Sequence, residues 1–379
     1  MTRRERLMAT LQHEPVDRPA VSFYELNGLD EHPNDPDPFN IYSHPSWRPL
    51  IDLAREKTDR IVMRNVAYTA VQPDPLASIS ETQTWLRDGS RFSVRRVRIG
   101  AHTLTSRTRQ DPDVNTVWTE EHLLKNVDDL RAFLEIPGTA AAGTVDTRSV
   151  IHAEAALGDT GIVMIDTPDP LCLAASLFDM AEYTVIALTE PALFHKLLER
   201  FAAPLLSKTE AVATALPGRL WRIYGPEYAA PPYLPPRLFR EYVCRYVTPM
   251  IDVIHRHGGY ARIHSHGKLN AILDDIVAMR ADALDPLEPP PQGDVELGYV
   301  RANYGENLVL CGNLEVSDIE TLPTEQFSER ITRALAEGTS APGRGFVLMP
   351  SACPYGRHLS PLALRNYEHI IQLVEKGRV

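Results

Sequence analysis

Five short stretches of this chain carry residues with the chemistry for catalysis or metal binding. The first is His264-Ser265-His266-Gly267, which follows the apolar run Tyr260-Ala261-Arg262-Ile263. Residues i and i+2 of a strand share a face, so the two imidazoles are expected to project together from a strand end. Imidazole is both a common metal ligand and a proton shuttle near neutral pH. The second stretch places Glu227 in Tyr224-Gly225-Pro226-Glu227. The third is Asp285-Pro286-Leu287-Glu288, running into three prolines. A carboxylate at the end of an apolar strand costs free energy unless it is paired or opens onto a site. The fourth is Cys311-Gly312-Asn313, and the fifth is Ser351-Ala352-Cys353-Pro354.

A catalytic zinc takes three protein ligands and keeps one position open. His264, His266 and Cys353 could supply the three, with Glu288 or Glu227 as alternative ligands. The plainer roles stand beside these. Cys353 could be a small buried or loop thiol, Glu227 a loop carboxylate held by a neighbouring arginine, and Asn313 a turn residue rather than a contact for a cofactor. His255 and His257 fall in the last turn of a helical pattern, where cations are favoured, and are read as structural. Cys172 and Cys244 lie in helical patterns and are read as core.

These residues must be positioned by regular elements. Eight short apolar runs have strand character, at residues 19–25, 60–64, 161–166, 220–225, 260–264, 283–288, 308–312 and 345–350. Most are continuously apolar rather than alternating, as expected of parallel strands buried on both faces. Helical patterns separate most of them. Residues 236–257 carry Phe239, Val243, Tyr246, Val247, Met250, Ile251 and Ile254 at helical spacing, and His257-Gly258-Gly259 ends the pattern. Thr2-Arg3-Arg4-Glu5 reads as a capping box for an opening helix. Eight strands alternating with helices predict an α/β fold, the (β/α)8 TIM barrel, whose catalytic groups gather where the strands end. Residues 85–118 break the rhythm and read as an antiparallel β-meander inserted at about 80–120, between barrel strands two and three. Residues 31–39 read as a surface loop. The expected organisation is one barrel domain over 1–379.

Composition narrows the functions. The chain is 44% hydrophobic and 23% charged with net charge −11, which suits a globular protein with a large core. No basic stripe with interleaved aromatics is evident, which argues against nucleic acid as a partner. The four cysteines show no CxxC spacing, so a disulfide framework is not expected and a cytoplasmic location is. The charged N-terminus does not read as a signal peptide, and no apolar run is long enough to span a membrane. GxGxxG after a strand, GxSxG, a Walker lysine and HExxH are all missing.

The opening Arg3-Arg4-Glu5-Arg6-Leu7, continued by Leu11-Gln-His-Glu-Pro-Val-Asp17-Arg18-Pro19, resembles the start of the uroporphyrinogen decarboxylase superfamily. So do His264-Ser-His-Gly267, Ala281-Asp282-Ala-Leu-Asp-Pro-Leu-Glu288 and Cys311-Gly312-Asn313-Leu314, and the likeness runs over essentially the whole chain. The resemblance implies one of two chemistries on the same barrel. One is cofactor-free decarboxylation of uroporphyrinogen. The other is methyl transfer, often to or from a corrinoid (cobalamin) carried on a partner protein, with zinc held by a His-x-Cys pair after a barrel strand and a further Cys near the C-terminus. This chain matches the His at His264 and departs at the Cys, replaced by His266. Cys353 lies near the last Cys of that pattern. The decarboxylases of the superfamily carry an arginine-rich segment after the first strand, whereas residues 23–31 here are acidic, and an octacarboxylate would be repelled.

The expectation is therefore a methyltransferase or demethylase acting on a small methylated substrate. Zinc would sit on His264, His266 and Cys353; Glu288, Glu227 and Asp285 would orient the substrate or move a proton; a corrinoid protein or a folate would be the methyl partner. A homo-oligomer is compatible with this size. Two rivals stand: a metal-free decarboxylase or lyase using His264 and His266 as acid and base, and a non-catalytic barrel that binds a corrinoid or small acid.

Overall fold

The computed structural model describes residues 1–31, 35–139 and 143–377. Its strands, in chain order, are β1 (Ala20–Val21), β2 (Arg60–Arg64), β3 (Ala67–Ala70), β4 (Ser80–Arg87), β5 (Ser90–Ile99), β6 (His102–Gln110), β7 (Val117–Glu121), β8 (Gly143–Asp146), β9 (Gly161–Pro168), β10 (Leu220–Tyr224), β11 (Tyr260–His264), β12 (Ala283–Asp285), β13 (Val309–Leu314) and β14 (Phe346–Pro350).

Eight of them form one parallel sheet in the order β1-β14-β13-β12-β11-β10-β9-β2, with helices between successive strands. This is the expected (β/α)8 barrel. Its β1–β2 seam has no strand ladder of its own. Asp59, just before β2, spans it instead: the Asp59 amide donates to the Val21 carbonyl at 2.7 Å and the Asp59 carboxylate accepts from the Val21 amide at 2.8 Å. Arg6 and Arg18 neutralise that buried carboxylate, so Arg6 and Arg18, both in the opening stretch, help to close the barrel.

Two apolar clusters follow from the strand period of two. One lies between the sheet and its helices. The other takes alternate residues such as Ile162, Met164, Leu220, Ala283, Val309, Cys311, Val347 and Met349, the inward set expected of a filled barrel. Leu7 and Leu11 join this inner cluster from the helix Arg3–Leu11, which starts at a complete Thr2/Glu5 capping box.

The meander is present as the antiparallel sheet β4-β5-β6-β7, inserted between β2 and β9 as expected. A two-stranded ladder, β3 with β8, frames its two ends; the sequence reading did not foresee that pair, whose four-residue strands lack a period strong enough to announce them. The first expected strand is corrected. Only Ala20–Val21 pairs with β14, and Tyr24–Glu31 winds into a 3-10 helix, led by Tyr24 at φ 54°. The expected loop at 31–39 lies partly outside the described residues.

Candidate active site at the barrel mouth

Register decides which groups meet at the mouth. Asp166, Arg222 and Arg262 are direct partners across β9, β10 and β11, and Tyr224, His264 and Asp285 across β10, β11 and β12. Two guanidiniums thus stand side by side inside the barrel, and each takes its own carboxylate. Arg222 Nε donates to Asp166 Oδ1 at 2.6 Å, and Arg262 makes a two-pronged pair with Asp285. Arg222 also donates to Tyr24 Oη at 2.6 Å, and that hydroxyl lies 3.4 Å from His264 Nε2. Burial alone would raise the Asp285 pKa, but Arg262 and His264 outweigh it and hold the carboxyl ionised, well below the usual range.

His264 is buried, and its Nδ1 lies 2.8 Å from Asp285 Oδ2. His266 stands just past the strand end, with Nδ1 2.9 Å from Glu288 Oε1. Glu288 Oε2 accepts the Gly267 amide at 2.7 Å, and Gly267 can turn that amide toward it because it sits at φ 83°, where a Cβ would be strained. The two rings cross at 89° with centroids 4.7 Å apart. Each imidazole is thus fixed by a carboxylate at Nδ1, which sets the tautomer; His264 Nε2 meets the Tyr24 hydroxyl, and His266 Nε2 is left for other work. His266 is 38% exposed, and its Nε2 has no hydrogen-bond partner among the described residues. Burial would lower the His266 pKa; the hydrogen bond and charge of Glu288, then Glu227 and Asp285, outweigh it and leave the group raised.

The expected zinc set is not drawn together. Among the described residues no group of three or more His, Cys, Asp or Glu side chains is disposed to hold a metal ion. The Cys353 thiol is partly buried against the backbone of Glu25 and Leu26, and burial pushes its pKa up. His264, His266 and Cys353 therefore do not fit a three-ligand zinc site here, and no step is routed through one. Asp285 holds Arg262 and His264 and is a positioning residue rather than a group open to substrate. Glu227 has no arginine partner among the described residues; its Oε2 accepts the Gly225 amide at 3.1 Å. Asn313 lines a cavity beside the loop after β12. His255 and His257 pair with Asp282 at 2.7 Å and Glu210 at 2.8 Å, as structural residues would.

Several charged residues at the mouth are not among those the sequence singled out. Arg222 and Arg262 sit inside the apolar runs Leu220–Tyr224 and Tyr260–His264, and an arginine in a fully buried strand demands a buried partner; that was the available signal. Glu25 is largely buried beside Tyr24. Burial raises its pKa, and the charges of Arg222, His264 and His266 only partly offset this. Glu315 follows β13; its Oε2 lies 3.2 Å from Ser351 Oγ and its Oε1 has no partner. Burial first, then the charge of Glu288, pushes its pKa to about 7.

Glu315 gives a stability prediction. Its folded-state pKa is raised, so the unfolded chain releases this proton first, and folding becomes costlier as pH climbs from the usual carboxyl range through about 7. Glu315→Gln is expected to raise the urea midpoint at pH 8 and to leave it nearly unchanged at pH 4. An equal effect at both pH values would contradict this.

The profile of the family described as Uroporphyrinogen decarboxylase (URO-D) matches residues 134–358. No curated protein matches the sequence. Among solved structures, a methyltransferase from Methanosarcina mazei superposes with a TM-score of 0.61 at 16% identity, covering 100% of both chains. At that identity the likeness speaks for the fold. The family match spans more than half of the chain and takes in β9 to β14 with every mouth residue of those strands: the chain belongs to the uroporphyrinogen decarboxylase family.

Proposed function

We propose that this protein is an enzyme that moves a methyl group from a small substrate, with His266 as the general acid. The observation that carries the reading is the pair of carboxylate-fixed imidazoles at one strand end, with the His266 side chain partly exposed and its Nε2 without a hydrogen-bond partner among the described residues. The likeness to a methyltransferase over the whole of both chains supports methyl transfer over the decarboxylase-type rival. The acidic mouth supports it too: Glu25, Glu227, Glu288 and Glu315 stand there, and Arg222 and Arg262 are already taken by Asp166 and Asp285. Neither guanidinium is left free for a polycarboxylate.

In this reading the bond between the methyl carbon and its heteroatom breaks. The electron pair stays on the heteroatom, which takes the proton from His266 Nε2. A corrinoid on a partner protein or a folate would supply the acceptor lone pair that takes the methyl group. Glu288 keeps His266 protonated and aimed.

The test is to incubate the protein with cob(I)alamin and a panel of methylated amines, ethers and thioethers, following loss of cob(I)alamin and appearance of the demethylated product. Turnover is expected with at least one substrate. Carbon dioxide release from small carboxylates, with no methyl transfer, would favour the decarboxylase-type rival. Metal stoichiometry is measured on the same preparations. About one zinc per chain, lost in both His264→Ala and Cys353→Ser, would restore the three-ligand reading.

A further inference from the structure

Beside the mouth, between the loop after β12 and the segment after β13, lies a cavity of 350 Å³. This is within the range of small-molecule sites. One wall is apolar, formed by Pro289, Pro290 and Pro291. Its two guanidiniums are occupied. Arg333 pairs with Glu296 at 2.6 Å and Glu337 at 2.5 Å, and Arg330 faces Asp318 at 3.6 Å.

Glu315 is left over. It is only 7% exposed, lines the cavity, and has no ion-pair partner among the described residues; its Oε1 has no hydrogen bond at all. Glu288 and Asp318 bear on it with like charge and His266 with opposite charge. A buried carboxyl in this state is costly unless something supplies the missing cation. A divalent metal is a poor candidate, since it wants six or more oxygens and no group of three acidic or imidazole side chains gathers among the described residues. An organic cation asks for less: one carboxylate and an apolar wall for its alkyl groups.

We propose that this cavity seats a small alkylated ammonium, with Glu315 as its counter-ion and Pro289, Pro290 and Pro291 as its apolar wall. The cation deepens the methyl-transfer reading, and rests on it only in being called the substrate. Seated on Glu315, its charged end lies within the electrostatic reach of His266, the proposed proton donor, and of Glu288, which holds it.

The experiment is calorimetric titration with tetramethylammonium chloride at pH 8, where Glu315 is mostly ionised, on the wild type, Glu315→Gln and His266→Ala. Tert-butanol serves as the neutral probe of similar size, and magnesium chloride as the inorganic cation. Saturable binding of tetramethylammonium is expected to the wild type and to His266→Ala. Affinity should fall at least tenfold in Glu315→Gln, with its urea midpoint no lower than the wild type's. Tert-butanol should bind weakly and equally to all three proteins. Equal tetramethylammonium affinity in wild type and Glu315→Gln overturns the proposal, as do its displacement by magnesium and a failure to saturate. Binding is read without turnover, so the cation site can hold while methyl transfer fails. An enzyme that transfers methyl groups yet ignores tetramethylammonium would overturn the cation and leave the reaction standing.

Discussion

Replacing Asp285 with Ala is expected to destabilise the barrel by about 3–5 kcal/mol, the range for breaking a buried pair by removing one partner. Asp285 is fully buried and takes both Arg262 and His264. Without it, the remaining hydrogen-bond partner of Arg262 among the described residues is the Met349 sulfur, 3.7 Å away, and its charge stays in the barrel interior. Asp166 cannot substitute, because Arg222 holds it. Asp285→Asn should cost less, since it keeps the shape and one acceptor oxygen; its loss relative to the wild type measures the charge contribution, and the further loss in Asp285→Ala that of shape and the remaining hydrogen bond. Urea unfolding of the three proteins at pH 7 decides the matter. A loss under about 1 kcal/mol in Asp285→Ala would show that water or a neighbouring carboxylate reaches Arg262 and that the pair is not the fastening described.

Replacing His266 with Ala should do the reverse, leaving the fold and removing the chemistry. The side chain is partly exposed and supports no strand, so the urea midpoint should move little. On the methyl-transfer reading, kcat should fall about 10²–10⁴-fold, the usual worth of a positioned general acid, while KM changes less. The pH profile carries the sharper signature. Glu288 raises the His266 pKa above its usual value, so the protonated, active form persists to higher pH and activity declines as pH rises through that raised pKa. Glu288→Gln should bring the decline to lower pH, and His266→Ala should lack it. The same raised pKa has a stability consequence. The His266–Glu288 pair contributes fully below the unfolded-state pKa of imidazole, and its contribution fades as pH rises through the folded-state value. An unchanged kcat in His266→Ala would remove this residue from the proposed mechanism.

The sequence by itself determined the architecture and the address of the site. Each barrel strand lies within one or two residues of an apolar run, apart from the shorter β1 and β12, because strands buried on both faces must be apolar throughout. The barrel rule then sends attention to His264, His266, Asp285 and Glu288 at strand ends. The i, i+2 spacing of the two histidines is a local property, and so was readable. Their partners were not. His264 meets Asp285 and His266 meets Glu288 because β11 and β12 pair in one register, with His264 opposite Asp285.

Longer-range decisions were further out of reach. Tyr24 and Arg222 are 198 residues apart, yet one hydrogen bond joins them. That contact depends on β1 ending after two residues so that Tyr24 turns inward. Cys353 looked like a ligand because of its place in the chain; tertiary packing instead sets its thiol against the Glu25–Leu26 backbone. Spacing along the chain fixes which side chains share a strand face. Which charge neutralises which, and which carboxyl is left without an ion pair among the described residues as Glu315 is, depends on strand register and loop closure, and only the folded barrel sets those.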